Sequence, residues 1–308
     1  MAMTPAAARV IDPILSQIAQ GYQHPGRVAN VLFPRVAVPQ SGGRILRFGK
    51  ESFKLYNLRR APGAQTARIE FGYASDPYRL VQDAVEVPVP RELVREAEQG
   101  PGIDLGERAT RMAMDTITLA LEVEAAQLAT DPNQYDASHK VALSGTSKWS
   151  DYANSDPIQD IEDAKEAIRA SVGLRPNVMV LGPKPYNALK HHPKLLERIK
   201  YSQRGIVTLD LLQAIFDIER VVVGEAIYAD EAGNFVDVWG NNAILAYVPG
   251  LPAMEVPSYG YTYTLERHPF VEEPYFENSR KSWIYGVTYE RAPVITSAIA
   301  GFLIQTPA

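Results

Sequence analysis

The chain has no cysteine among its 308 residues. That removes disulfides, thiolate nucleophiles and zinc ribbons together, and it suits a cytosolic folding compartment. Long hydrophobic runs are missing too. The longest apolar stretch, VITSAIAGFLI near the C-terminus, is far short of the roughly 20 residues that span a bilayer. The N-terminal MAMTPAAARVIDPILSQIAQGY has no basic segment leading into a continuous apolar core, so no secretory signal is expected. Positive charge is not in excess. A formal net charge of −5 argues against a nucleic-acid binder that draws its affinity from neutralised phosphates.

What is present is an apolar fraction of 46%, enough for a sizeable core, with 23 prolines and 16 tyrosines. Prolines between short extended runs predict long non-helical arms rather than one compact ball. Up to about residue 40 a weak helical start gives way to the extended VLFPRVAVPQSGG. In the following stretch Gly42-Gly43 opens and Pro62-Gly63 turns a long two-stranded excursion, with Ile45, Phe48, Ile69, Phe71 and Tyr73 marking its sides. A ribbon of two strands is marginal in water, so this one is expected to lie on something else.

From Ile103 to Ala129 the period changes. Leu105, Ala109, Met112, Thr116, Leu119, Val123 and Ala126 form one apolar stripe at helical spacing. Asp104 with Glu107 resembles a capping box, and Asp131-Pro132 ends the helix. After the polar VALSGTSKWSDYANSDP the text turns α/β. A helix runs from Pro157 to Gly173, followed by strand NVMVLG, helical PKPYNALKHHPKLLERIKY, helix TLDLLQAIFD, strand RVVVGEAIY and a hairpin NFVDVWGNNAILAYV. Extended runs return from Tyr259 to Ile304.

Chemistry is hard to find in this order. The strand-to-helix turn Gly182-Pro183-Lys184-Pro185 lacks the run of backbone N–H donors that a phosphate cradle needs, because two prolines remove two of them. It reads as a structural corner. Adjacent His191 and His192 diverge by about 100° on a helix and suit a helix end, where a cation meets the dipole, better than a shared metal. His24, His139 and His268 are scattered. No G-x-S-x-G elbow is present. Glu92, Glu96 and Glu98 alternate with arginines as a solvated face does. Asp230, Asn234 and Asp237 fit a hairpin turn better than a calcium loop. No catalytic, cofactor-binding or metal-ligating residue is expected, and the chain is not expected to be an enzyme.

One charge pattern stands out. Arg44, Arg47, Lys50, Lys54, Arg59, Arg60 and Arg68 stand against Glu51 alone, a net +6. From Asp83 to Glu124 ten acids face four arginines, a net −6. A basic hairpin and an acidic flank can attract each other.

The order of elements resembles the major capsid proteins of tailed bacteriophages, whose fold also builds encapsulin shells. The resemblance runs along nearly the whole chain. It rests on NVLFPRVAVPQSGGRILRFGKE, RAPG before the next strand, WSDYANSDPIQDIEDAKEAI, NVMVLGPKPYNALKHHPKLLERIKY and SRKSWIYGVTYERAPVI occurring together in this order. It implies an α+β fold with an N-terminal arm (1–40), an extended loop (41–80), a peripheral domain (81–154 and 257–308) with a spine helix at about 105–129, and an α/β axial domain (155–256).

The function implied is structural: identical subunits forming pentamers and hexamers, then an icosahedral shell around double-stranded DNA, without sequence-specific binding. Implied partners are the portal, scaffolding and decoration proteins; the implied location is the virion, assembled in the host bacterial cytoplasm without a membrane. An interface is expected between the basic loop residues, Arg44 to Arg68, and an acidic flank made of Glu92, Glu96, Glu98, Asp104 and Glu107. An encapsulin-like compartment is the alternative, and an α/β enzyme ranks last.

Overall fold

A computed structural model describes residues 11–45, 59, 77–99, 104–199 and 207–308. The first part holds β1 (Ile11–Asp12), α1 (Pro13–Gln20), α2 (Ala29–Leu32), β2 (Arg35–Val38), β3 (Gly42–Arg44), β4 (Pro77–Arg79), β5 (Val81–Pro90), α3 (Arg91–Gln99) and α4 (Leu105–Thr130). The middle holds β6 (Lys140–Ala142), α5 (Pro157–Val172), β7 (Val178–Leu181), α6 (Pro183–Lys190), α7 (Pro193–Ile199), α8 (Leu209–Phe216), β8 (Arg220–Val223), β9 (Ile227–Ala229), β10 (Phe235–Asp237) and β11 (Asn242–Ala246). The last part is strand-rich: β12 (Gly260–Leu265), β13 (Phe270–Glu272), β14 (Tyr275–Glu277), β15 (Ser282–Ile295) and β16 (Gly301–Gln305).

Two sheets organise the chain. The seven-stranded sheet is built around the 14-residue β15, which pairs β5, β12, β13 and β14, with β1 and β2 at the outer edges. Its longest ladder, antiparallel β5 against β15, runs from Ser282 opposite Pro90 to Arg291 opposite Val81. In β12 the residues Tyr261, Thr262, Tyr263 and Thr264 are all buried: the tyrosines pack in one core with Val36, Val38 and Tyr78, and on the other face the threonines bond Phe33 O and the Tyr289 hydroxyl. The five-stranded sheet has the order β6-β16-β11-β7-β8. Strand β7 and all of β11 after Asn242 are buried on both faces, which is why they read as continuous apolar runs. Helix α5 packs on this sheet, starting at Pro157 with Asp156 as its cap and ending at Gly173 in the left-handed region (φ 72°).

Helix α4 is the long helix that the period predicts, and Asp104 caps it by accepting from the backbone N–H of Gly106 and Glu107. Glu107 does not complete the box; it bonds Arg111 one turn on. The buried face differs from the stripe read above. Ala109 and Ala126 of that stripe are buried, but Met112 is 65% exposed, and Thr110, Ala113, Met114, Ile117, Leu121, Ala125 and Ala129 make up the rest of the buried face. Small residues win this face because β15 and β5 lie close against it, and a reading weighted by side-chain size misses them.

Three further expectations need correcting. β10 and β11 do not form a hairpin; β10 pairs β9, while β11 lies between β7 and β16. The last fifty residues do not all return to the first sheet, since β16 pairs β11 and β6 in the five-stranded one. His192 is no helix-end cation. It is fully buried; Lys194 N donates to Nδ1, which leaves Nε2 as the donor to Ser155 Oγ at 3.1 Å. Burial, with Lys194 beside it, pushes its pKa down.

Candidate functional site

The corner that might have been a phosphate site is a close backbone crossing. A Cβ on Gly182 would sit 2.0 Å from the carbonyl oxygen of Gly240, so glycine is needed for approach rather than for a ligand. Asp230 accepts from the backbone N–H of Ala232 and Asn234, and Gly233 has φ 81°, which makes that stretch the turn between β9 and β10. Among the described residues no group of three or more His, Cys, Asp or Glu could hold a metal ion.

The root of the basic loop is well defined. β3 and β4 pair antiparallel, Gly42 opposite Arg79 and Arg44 opposite Pro77. Tyr78 stacks on Tyr263 of β12 at 4.8 Å, and Ile45 and Leu80 join the same core as Val36 and Val38. A Cβ on Gly43 would come within 2.7 Å of the Tyr78 ring, so this glycine lets the tyrosine lie across the stem. Arg44 leaves the stem exposed, and Arg59 is exposed as well. Arg47, Lys50, Lys54, Arg60 and Arg68 lie outside the described residues.

The acidic flank is narrower than its charge count implies. Asp104 is occupied as the cap of α4 and Glu107 by Arg111. Glu92 and Glu96 are exposed on α3, and Glu98 lies in its last turn. Glu92 also meets Arg91 at 3.1 Å; its own backbone N–H and that arginine hold its carboxyl below the usual range.

Three further acids of that segment make internal ties that the sequence reading missed, one of them buried and two at the surface over a buried arginine. Glu122, 1% exposed, accepts from Val28 N and Ala29 N at 2.9 Å each and from Trp239 Nε1 at 2.7 Å. It joins the N-terminal segment to the loop before β11, across α4. Asp83 and Glu124 clamp Arg291, 2% exposed, through its two Nη groups at 2.6 Å each, while its guanidinium stands over the Tyr289 ring. The available signal was Glu122 at helical spacing from Thr118 and Ala126, on the small-residue face.

The family model of phage major capsid protein E matches residues 126–266. A curated relative, the major capsid protein of Burkholderia phage BcepMu, is 41% identical over 96% of this chain and 96% of its own. The chain belongs to the phage major capsid proteins. A crystal structure of a phage-related protein from Bordetella bronchiseptica is 49% identical, covers 97% of this chain and 98% of that one, and superposes with a TM-score of 0.86. An encapsulin complex from Synechococcus elongatus, 13% identical over 99% of this chain and 96% of that one with a TM-score of 0.53, shares the fold.

This capsid protein therefore has the α+β shell fold expected from its element order, and its family is structural rather than enzymatic. The matched segment 126–266 runs from the end of α4 through β12 and takes in all of β7 to β11. Just before that segment, the buried Glu122 ties Trp239 within it to Val28 and Ala29 of the N-terminal segment.

Proposed function

We propose that this capsid protein assembles through pentamers and hexamers into an icosahedral shell enclosing double-stranded DNA, in the virion of a tailed phage and formed in the host cytoplasm. The carrying observation is the 41% identity over 96% of both chains to a protein named as a major capsid protein. It favours a phage shell over a cargo compartment, to which the likeness is one of fold. In this reading the chain divides into arm (1–40), loop (41–80), peripheral (81–154 and 257–308) and axial (155–256) parts, with β6 and β16 of the peripheral ranges contributing strands to the axial sheet. Portal, scaffolding and decoration proteins are the further partners.

The loop rooted at β3 and β4 lies on a neighbouring subunit, its cations within about 10 Å of that neighbour's α3, the range over which exposed charges interact at moderate salt. Asp104 caps α4 and Glu107 is held by Arg111, and Glu92 pairs, among the described residues, only with its exposed chain neighbour Arg91, so the receiving acids are Glu96, Glu98 and Glu92. Arg59→Glu with Arg60→Glu should lower the yield of sedimenting shells at low salt, and adding Glu92→Arg with Glu96→Arg should restore it. Equal shell yield for all three proteins would remove the loop–flank contact from the account.

A further inference from the structure

A cavity of about 260 Å³ opens between the N-terminal segment, α4 and the start of β8, lined among others by Tyr22, His24, Arg27, Arg35, Glu122 and Arg220. Its volume lies just below the roughly 300–1,000 Å³ of ordinary small-molecule sites, which suits one compact group. Three arginines reach it from three separate elements: the segment before α2, the first residue of β2 and the first residue of β8.

The negative charge at hand does not match them. Glu122 already accepts three N–H bonds. Asp115 takes one Nη of Arg27 at 3.2 Å and the Tyr22 hydroxyl at 3.4 Å. Arg35 has its guanidinium over the Tyr289 ring. The Nε groups of both Arg27 and Arg35 are buried with no hydrogen-bond partner among the described residues. Buried guanidinium donors left unpaired are costly and call for an explanation; Arg291 Nε, outside the cavity lining, is a third among the described residues. Gly26 N donates to Nδ1 of His24, so the neutral ring carries its proton on Nε2 as one more donor.

We infer that this cavity binds a phosphate group. Guanidinium forks match oxyanions geometrically. A carboxylate offers two oxygens and is filled by one arginine fork, whereas a terminal phosphate offers three strong acceptor oxygens and suits three arginines approaching from different sides. The phosphate is supplied either by free phosphate or by a nucleic-acid end, and the same chemistry recognises both.

The test is isothermal titration of the full chain with inorganic phosphate at low ionic strength, with acetate as the competing oxyanion. One saturable phosphate per chain is expected, weakened at least tenfold in Arg220→Gln and in Arg35→Gln and unchanged in Arg79→Gln, a basic residue outside the cavity. Arg220 is exposed at a strand start, so its variant keeps the test valid if Arg35→Gln folds poorly. A short duplex with a 5′-phosphate that displaces inorganic phosphate, when the unphosphorylated duplex does not, assigns the group to nucleic acid; no displacement assigns it to free phosphate. Absence of saturable binding, equal binding by all three variants, or acetate binding as tightly as phosphate would overturn the assignment.

Discussion

Glu122 shows how a charge hidden in a helix can hold a subunit together. Its carboxylate satisfies two backbone N–H groups at the entry to α2 and the indole N–H of Trp239. Glu122→Ala would leave all three buried and unpaired, at a cost of about 3–5 kcal/mol, measurable by denaturant unfolding of the unassembled subunit. A loss under 1 kcal/mol would mean that the three donors find other partners. His192 gives a pH signature. Its folded-state pKa lies below the unfolded value because burial disfavours the cation, with Lys194 adding to the effect and Asp156 opposing it. The unfolded chain therefore binds the extra proton as pH falls below about 6.5, so stability is complete above that value and declines toward pH 5. His192→Gln should flatten that decline, and an unchanged slope would assign it to other groups. Neither residue was legible: a glutamate counted as flank charge and a histidine read as a helix-end cation are both decided by burial, which depends on distant strands.

At the scale of elements, far more was readable. The helices at α4, α5 and α8, the cap at Asp104, the start at Pro157 and the stop at Gly173 follow from local periodicity and from Pro and Gly placement. The facing of α4 did not follow, because packing on β15 and β5 along its first part and on the core of the five-stranded sheet toward its end selects Ala109, Ala113, Ala125 and Ala129 over the larger Met112 and Leu119. Two substitutions check that facing. Met112→Glu should change subunit stability by less than about 0.5 kcal/mol, while Ala113→Leu should cost about 1–3 kcal/mol by overpacking. The reverse order in thermal unfolding would restore the stripe read from sequence. Strand partners were equally hidden: nothing near Gly301–Gln305 says that this strand joins β11, some 60 positions earlier, rather than the adjacent β15.

Among the described residues two large sheets are joined along α4, with Glu122 and the Arg291 clamp as ties and the β3–β4 stem as the root of a basic loop. A subunit of this kind has its chemistry at interfaces, and identical subunits with head-to-tail contacts close into rings when the rotation allows. The fold and family were legible because the order of many unremarkable segments is itself specific. The loop's acceptor was not, because in the proposed assembly its partner is another copy of the chain. Electron microscopy of the protein expressed alone and purified without denaturant tests the central claim most directly. Closed shells, or mixtures of pentamers and hexamers, are the expected result. A discrete small oligomer that stays small at high concentration and with added scaffold would contradict it.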